Sequence, residues 1–442
     1  MNVSVIGGTG YVGLVTGIGL AVMGNRVICA DIDENRIENL NKGIFPIYEE
    51  GLEELLAKAQ KNGEIIFTKC IKTAIVQSEI LMIAVGTPEG KYGGTDMTQV
   101  LRALKAISNH IDRYKIIVMK STVPVGTGQM IKSFIQSNLK NPSITFDVAS
   151  NPEFLREGSA VSDFMNPDRI VIGTDNPKAE EALKTLYAPF QKPIVSTDIA
   201  SAEMIKYACN TYLATRVSFI NEIAEICGKV GADVRSVIEG MKYDKRIGGH
   251  YLSPGPGFGG PCLSKDLKSL IHFGSRSGAN TGVLKAVLRR NELQVSNIAN
   301  IIQATLASIR NKKVAILGLS FKAGTDDIRN SPSLNLIERL SEANIQLTAY
   351  DPVVKRLPDS FEAKVRIASD LKGALENADC AVIMTDWEEF IGMDLKQIYA
   401  LMRTPVLLDA RNAISAKKAK DCGFTYMNNN KTSLRASFCT MP

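Results

Sequence analysis

The sequence predicts an α/β protein built from two doubly wound, Rossmann-like domains joined by a central helical segment. Three observations predict it. An apolar strand, Val3-Ser4-Val5-Ile6, runs into the turn Gly8-Thr9-Gly10-Tyr11-Val12-Gly13. A second apolar strand, Lys313-Val314-Ala315-Ile316-Leu317, runs into Gly318 in the last third of the chain. Between them, residues 201–230 hold one long helical apolar pattern, and helical and strand periods that alternate in this way make parallel sheets covered by helices. The domain boundaries expected are 1–200, 201–306 and 307–442.

Length and composition agree with this division. A chain of 442 residues exceeds one ordinary core. Apolar residues make up 45% and charged residues 22%, the balance of an ordinary globular protein. The net charge of +6 comes without a Lys/Arg block, so nucleic acid is not expected as a partner, whereas an anionic small substrate suits the charge. The cysteines are irregularly spaced and none form a C-x-x-C pair, which argues against a zinc site or a disulfide framework and for a reducing compartment. The chain opens on a strand, and the apolar run around Tyr11 to Met23 is too short and glycine-rich for a bilayer span. A cytoplasmic protein with no membrane partner and no metal is expected.

In the amino-terminal domain the glycine turn opens a helix from Leu14 to Met23, and Arg26-Val27-Ile28-Cys29-Ala30 then closes on Asp31. Strand, G-x-G-x-x-G, helix, strand, acid is the dinucleotide-binding context. The glycines let the backbone reach a pyrophosphate at the helix amino terminus. Asp31 suits ribose hydroxyls and repels a 2′-phosphate, so NAD is expected over NADP. Three later strands end in polar turns that carry Thr87, Thr122 and Glu153, and ligands bind outside the carboxyl ends of such strands. In Asn151-Pro152-Glu153-Phe154-Leu155-Arg156-Glu157-Gly158, a helical start would put Glu153 and Glu157 on one face.

The central helix is apolar around much of its circumference, which reads as a buried or subunit-packing element. Lys206 and Asn210 lie one turn apart on it. On the inner side they need partners, which a bound oxyanion or hydroxyl could supply; on a solvated stripe they need none. The loop Gly255-Pro256-Gly257-Phe258-Gly259-Gly260-Pro261-Cys262-Leu263-Ser264-Lys265-Asp266 follows, with Ser264 expected to cap a helix that begins near Leu267. A thiol near a helix amino terminus and beside Lys265 is favoured as the thiolate; the plain alternative is a structural cysteine in a tight loop. With few histidines in the chain, Lys and carboxylates are expected to move protons.

The carboxy-terminal domain repeats the opening pattern: Ile345-Gln346-Leu347-Thr348-Ala349-Tyr350 ends at Asp351 as the second strand ended at Asp31. It lacks G-x-G-x-x-G, and Lys322 and Arg329 place cations at a strand end where a phosphorylated ligand could sit. The polar tail from Asn428 onward is expected to lack regular structure.

In order, GTGYVG, VGTP, STVPVGT, NPEFLREG, the helix Glu203-Met204-Ile205-Lys206-Tyr207 with Asn210, GPGFGGPCLSKD and FKAGTDDIRNSP resemble the UDP-glucose/GDP-mannose dehydrogenase family over nearly the whole chain. The loop departs from the family's usual composition at Pro261, where serine is usual and the backbone N–H is lost, and at Leu263-Ser264, where Phe-Pro is common. The resemblance implies a four-electron oxidation of a nucleotide-sugar C6 alcohol, UDP-glucose first among candidates, with two NAD reduced in turn. It implies Cys262 as nucleophile, Lys206 and Asn210 as oxyanion partners, Asp266 with Thr122 as base or water holder, and Glu153 in hydrolysis. It assigns Gly8, Thr9, Gly10, Tyr11, Val12, Asp31, Arg36, Thr87, Thr122, Glu157 and Arg329 to NAD. It assigns Phe154, Leu155, Lys206, Asn210, Tyr251, Leu252, Gly259, Lys322 and Arg411 to the sugar nucleotide. Arg246 would reach a neighbouring subunit's substrate, so a homodimer or larger assembly, with the central segment as its dimerisation element, is implied. GDP-mannose or another nucleotide sugar as substrate, and a non-catalytic nucleotide-sugar sensor on the same fold, are the alternatives.

Overall fold

The computed structural model describes residues 1–428. The strands among them are β1 (Asn2–Ile6), β2 (Arg26–Ala30), β3 (Ile65–Thr68), β4 (Ile80–Ile83), β5 (Lys115–Met119), β6 (Phe146–Ser150), β7 (Ile170–Thr174) and β8 (Ile194–Thr197). They form one sheet in the order β3-β2-β1-β4-β5-β6-β7-β8. The first six are parallel; β7 pairs antiparallel with β6, and β8 runs with β7. A second sheet holds β9 (Lys313–Leu317), β10 (Gln346–Tyr350), β11 (Arg366–Ile367), β12 (Cys380–Ile383), β13 (Val406–Asp409) and β14 (Thr425–Asn428), in the order β11-β10-β9-β12-β13-β14 and parallel throughout. Both sheets reverse their strand order beside their first strand, the point where doubly wound sheets open a crevice. Asn428 closes β14, so that residue departs from the expected irregular tail, and the remainder of the tail lies outside the described residues.

The apolar runs of these strands follow from burial on both faces. Val3, Val5, Ile80, Met82, Ile116 and Val118 belong to one core cluster, while their neighbours Leu81, Ile83, Ile117 and Met119 belong to another. The same alternation divides Val314 and Ile316 from Ala315 and Leu317 in the second sheet.

The chain divides into two compact units. One comprises Met1–Cys209 with Lys268–Ala279; the other comprises Asn210–Leu267 with the chain from Asn280 onward. The helix Ile199–Val230 passes through this division after Cys209, and the helix Leu263–Arg276 passes through it after Leu267. In the first unit Glu203, on the first of these helices, accepts the Gly126 amide at 2.7 Å and the Gly128 amide at 2.8 Å, capping the helix Thr127–Asn138. Burial pushes the Glu203 carboxyl up to about 7, and those amides oppose the shift. No helix among the described residues is long and apolar enough to cross a membrane.

Candidate active site

In the first unit, the turn after β1 is closed by a carboxylate. The Thr9 amide and hydroxyl donate to Asp31 Oδ2 at 3.0 and 2.7 Å, and the Ile32 and Asp33 amides donate to its Oδ1 at 2.7 and 3.3 Å. The Gly8 amide donates to the Ala30 carbonyl at 3.1 Å. Asp31 stays half-exposed, so it can still meet a ligand. Gly10 caps the helix Tyr11–Val22; no side chain satisfies its first amides and no acid stands in its first turn. A Cβ on Gly13 would lie 2.1 Å from the Gly7 carbonyl oxygen, so packing demands that glycine. A Cβ on Gly10 would meet nothing closer than 3.5 Å. No neighbour within the protein requires Gly10 to lack a Cβ, and that lack fits the approach of a diphosphate to the helix end. Val12 packs half-buried against the core. Arg36 is exposed and pairs with Asp33 at 3.3 Å.

Tyr11 ties this turn to a second loop. Its hydroxyl donates to Glu49, and the Gly158 amide donates to Tyr11 Oη at 3.0 Å and to Glu49 Oε2 at 2.8 Å. Burial first, then the Glu49 hydrogen bond and charge, push the Tyr11 phenol upward. Sequence reasoning missed Glu49, which sits in an unmarked polar stretch.

Along the same sheet, the Thr87 hydroxyl donates to the Thr122 carbonyl at 2.9 Å, joining the turns after β4 and β5. The segment after β6 is not a helix. It runs without regular structure to a turn, and the next helix starts at Ala160. Glu153 and Glu157 therefore do not share a helix face. The Glu153 carboxylate takes the Leu155 amide at 2.6 Å, a local bond that competes with helical pairing. Glu153 is buried and pairs with Lys206 at 3.0 Å. The Phe154 ring lies between Arg169, 3.6 Å from its centroid, and Lys206 Nζ at 5.3 Å. Lys206 is only 4% exposed, so the solvated-stripe reading of that helix face fails. Glu157 is half-buried in the turn. Lys120, at the end of β5, is a further buried cation missed in the sequence. Its Nζ donates to Asn151 Oδ1 at 3.0 Å, and burial pulls it down to about 8.

In the second unit Cys262 stands exposed immediately before the helix Leu263–Arg276, and its carbonyl accepts the Asp266 amide at 2.9 Å. The helix starts earlier than expected, with Cys262 at its cap position and Ser264 already inside. Leu263 continues the apolar stripe of Leu267 and Leu270 one turn back. Asp266, 1% exposed, is held on both oxygens: Asn210 Nδ2 donates at 2.6 Å and Lys265 Nζ at 2.6 Å. The adjacent Lys265 thus pairs with Asp266. Asn210 is 7% exposed and so is not solvated either.

The glycines before Cys262 have packing reasons. A Cβ on Gly259 would lie 2.6 Å from the Asn330 carbonyl oxygen. Gly260 holds φ +80° with its Cα against the Phe321 ring, where a Cβ would lie at 2.9 Å. The Gly260 amide donates to the Arg329 carbonyl at 3.0 Å, and Asn330 Nδ2 donates to the Gly260 carbonyl at 3.2 Å. The Arg329 side chain is exposed and pairs with Asp327. Arg411 donates to the Met384 carbonyl at 2.8 Å and the Phe321 carbonyl at 3.1 Å. Lys322 Nζ lies 5.9 Å from the Phe321 ring centroid. Tyr251 has φ +59°, Leu252 is 2% exposed, and exposed Arg246 pairs with Asp244 at 2.6 Å.

The second sheet repeats the carboxylate closure and shuts it. Asp351 Oδ2 accepts the Leu319 and Ser320 amides at 2.8 and 3.2 Å, as Asp31 accepts Thr9. Trp387 Nε1 also donates to it at 3.3 Å, and Asp351 is 1% exposed. Leu319 stands where the first turn has Gly8. This turn keeps the carboxylate tie but buries the acid, where Asp31 is half-exposed.

The structure thus groups Gly8, Thr9, Gly10, Tyr11 and Asp31 in one cluster, and Glu153, Phe154, Leu155 and Lys206 in another, both in the first unit. In the second unit it groups Cys262, Asn210 and Asp266.

Models of the UDP-glucose/GDP-mannose dehydrogenase family match the chain in three parts: the NAD binding domain over residues 1–191, the central domain over 200–293 and the UDP binding domain over 315–416. UDP-glucose 6-dehydrogenase TuaD of Bacillus subtilis is 42% identical over 433 residues, covering 97% of this chain and 93% of the relative. A UDP-glucose 6-dehydrogenase of Rickettsia conorii is 40% identical over 430 residues, covering 96% of this chain and 98% of the relative. The solved structure of a UDP-glucose dehydrogenase from Pyrobaculum islandicum superposes with a TM-score of 0.90 at 35% identity, covering 97% of each chain.

The glycine geometry predicts a split between two neighbouring substitutions. Gly10→Ala should fold with near wild-type thermal stability and weaken NAD binding by about tenfold or more, the loss expected when a backbone can no longer approach a diphosphate closely. Gly13→Ala should fail to fold or melt far earlier. NAD titration and thermal melts on both variants check this.

Proposed function

Because this chain belongs to the UDP-glucose/GDP-mannose dehydrogenase family and is an NAD-dependent dehydrogenase, we propose that it oxidises the C6 alcohol of UDP-glucose to the carboxylate of UDP-glucuronate. The observation that carries the reading is an exposed thiol at a helix amino end, Cys262, with a buried Asp266 one turn on whose two oxygens are held by Asn210 and Lys265. A cysteine in this position has the helix dipole to favour its thiolate, the form that attacks carbonyl carbon.

When bound, NAD accepts one hydride, so the two hydrides that leave C6 reduce two NAD in turn. The alcohol loses a hydride and a proton and becomes an aldehyde; Asp266, with Thr122 and a water, takes the proton. The Cys262 sulfur then bonds to the aldehyde carbon, and the oxygen gains a proton. This adduct carries a C–H that can leave as a second hydride, which a bare aldehyde cannot offer so readily. Its loss, with the hydroxyl proton, gives a thioester. Water adds with Glu153 as base, the C–S bond breaks, and the carboxylate leaves with the thiol restored. Lys206 and Asn210 stabilise the oxyanions that form on the way. The UDP binding domain model over residues 315–416 supports a uridine nucleotide as the handle, with Lys322 and Arg411 proposed to hold its sugar and phosphate groups.

We further propose a homo-oligomer. Tyr212, Phe219 and Ile226 repeat every seven residues along the long helix and are 59%, 50% and 48% exposed, an apolar stripe costly to leave in water. Light scattering on the purified chain should give the mass of a dimer or larger; a monomer at working concentration contradicts this.

The test of the reaction is NADH counted per UDP-glucose consumed with excess NAD, beside Cys262→Ser. Two NADH per sugar, with the variant stalled, is the expected outcome. Turnover of GDP-mannose with none of UDP-glucose moves the substrate, and binding of both ligands without turnover of either favours a sensor.

A further inference from the structure

Resting on that reaction, we propose that Lys120 is a positioning residue for it, acting through Asn151 and Glu153. Lys120 follows β5 directly and is 4% exposed. Its Nζ donates to Asn151 twice, to Oδ1 at 3.0 Å and to the carbonyl at 3.4 Å. Asn151 is 1% exposed and bonded in every direction: its amide donates to the Met119 carbonyl at 2.9 Å, its Nδ2 to the Val171 carbonyl at 2.8 Å, and its Oδ1 also accepts the Tyr187 hydroxyl at 2.5 Å. Asn151 is therefore a fixed knot joining β5, β6, β7 and the helix Pro177–Tyr187, and Glu153 lies two residues beyond it.

Burying an ammonium is costly, and a cheaper donor could hold Asn151. Met or Gln fills similar volume without that cost. The surroundings give a reason for the charge. Glu153 and Lys206 are the charged groups that face Lys120, the carboxylate favouring its protonated form and the ammonium opposing it; Tyr187 faces it as a neutral phenol. Glu153 already offsets Lys206 at 3.0 Å. With Lys120 protonated, the Glu153 carboxylate feels two ammoniums, Lys120 and Lys206. Lys120 thus does two things at once: it orients the Glu153 segment through Asn151, and it adds its charge to that of Lys206 at the Glu153 carboxylate.

The test is a step-resolved double-mutant cycle in full-length enzyme. Lys120→Met should lower kcat for UDP-glucose by about 10- to 100-fold, the range of a lost hydrogen bond to a charged group, while KM for NAD and for UDP-glucose change less than about threefold on the same scale. Lys120→Arg, which keeps the charge, should recover part of the loss. Combined with Glu153→Gln, Lys120→Met should add little, since residues acting through one another are not additive. Should Lys120→Met fail to fold, Tyr187→Phe, which removes the other donor to Asn151 Oδ1, is expected to lower kcat with KM preserved by the same logic. Wild-type kcat in a folded Lys120→Met or Tyr187→Phe, full additivity with Glu153→Gln, or a loss confined to KM overturns the proposal. A wild-type enzyme that does not oxidise UDP-glucose overturns the underlying reaction instead.

Discussion

Polar groups buried on one helix govern this molecule. Glu203, Lys206 and Asn210 are 3%, 4% and 7% exposed on the helix Ile199–Val230. Each needs a partner inside the protein, since an unpaired polar group in a core costs several times what a typical net hydrogen bond contributes. Each partner lies in a loop after a strand or in the first turn of a helix. Glu203 holds the amides after β5, Lys206 holds Glu153 after β6, and Asn210 holds Asp266 after Cys262. The stability of the helix and the placement of the proposed chemistry are thus one requirement. A surface helix would leave these side chains solvated and the loops without an anchor.

The two sheets show how one device serves two ends. A carboxylate at the end of the second strand ties down the first turn in both, Asp31 on Thr9 and Asp351 on Leu319 and Ser320. In the first domain glycine leaves the helix end bare and the acid half-exposed. In the second, Asp351 is buried and takes the Trp387 Nε1–H as a further donor. The repeated fold keeps its internal tie and buries the acid, and the family's NAD binding domain matches the first of the two sheets, within residues 1–191.

Much of this is legible in the sequence because it rests on local constraints. Apolar strands closed by Asp31 and Asp351, the glycine turn and the helix from Ile199 are carried by periodicity and by residues that few alternatives replace. What was not legible depends on tertiary surroundings. A helix apolar around its circumference does not say which side meets water, so the burial of Lys206 and Asn210 had to be seen. Two acids after Asn151-Pro152 look like a helix start, yet the Leu155 amide is claimed by Glu153 itself. Lys120 hides between an apolar strand and a turn, where a lysine ordinarily reaches solvent. The glycines around Cys262 do not announce a packing role in the sequence, yet a Cβ on Gly259 or Gly260 would meet Asn330 or Phe321.

In the proposed reaction the carbon being oxidised becomes bonded to Cys262 and is released with the help of the Glu153 carboxylate. The most direct measurement is the intact mass of Glu153→Gln enzyme, acid-quenched after mixing with UDP-glucose and excess NAD, followed by mapping of the modified peptide. The account predicts an added UDP-glucuronyl group on the peptide that contains Cys262, accumulating because water attack is slowed. Unmodified protein together with product release at the wild-type rate would contradict it.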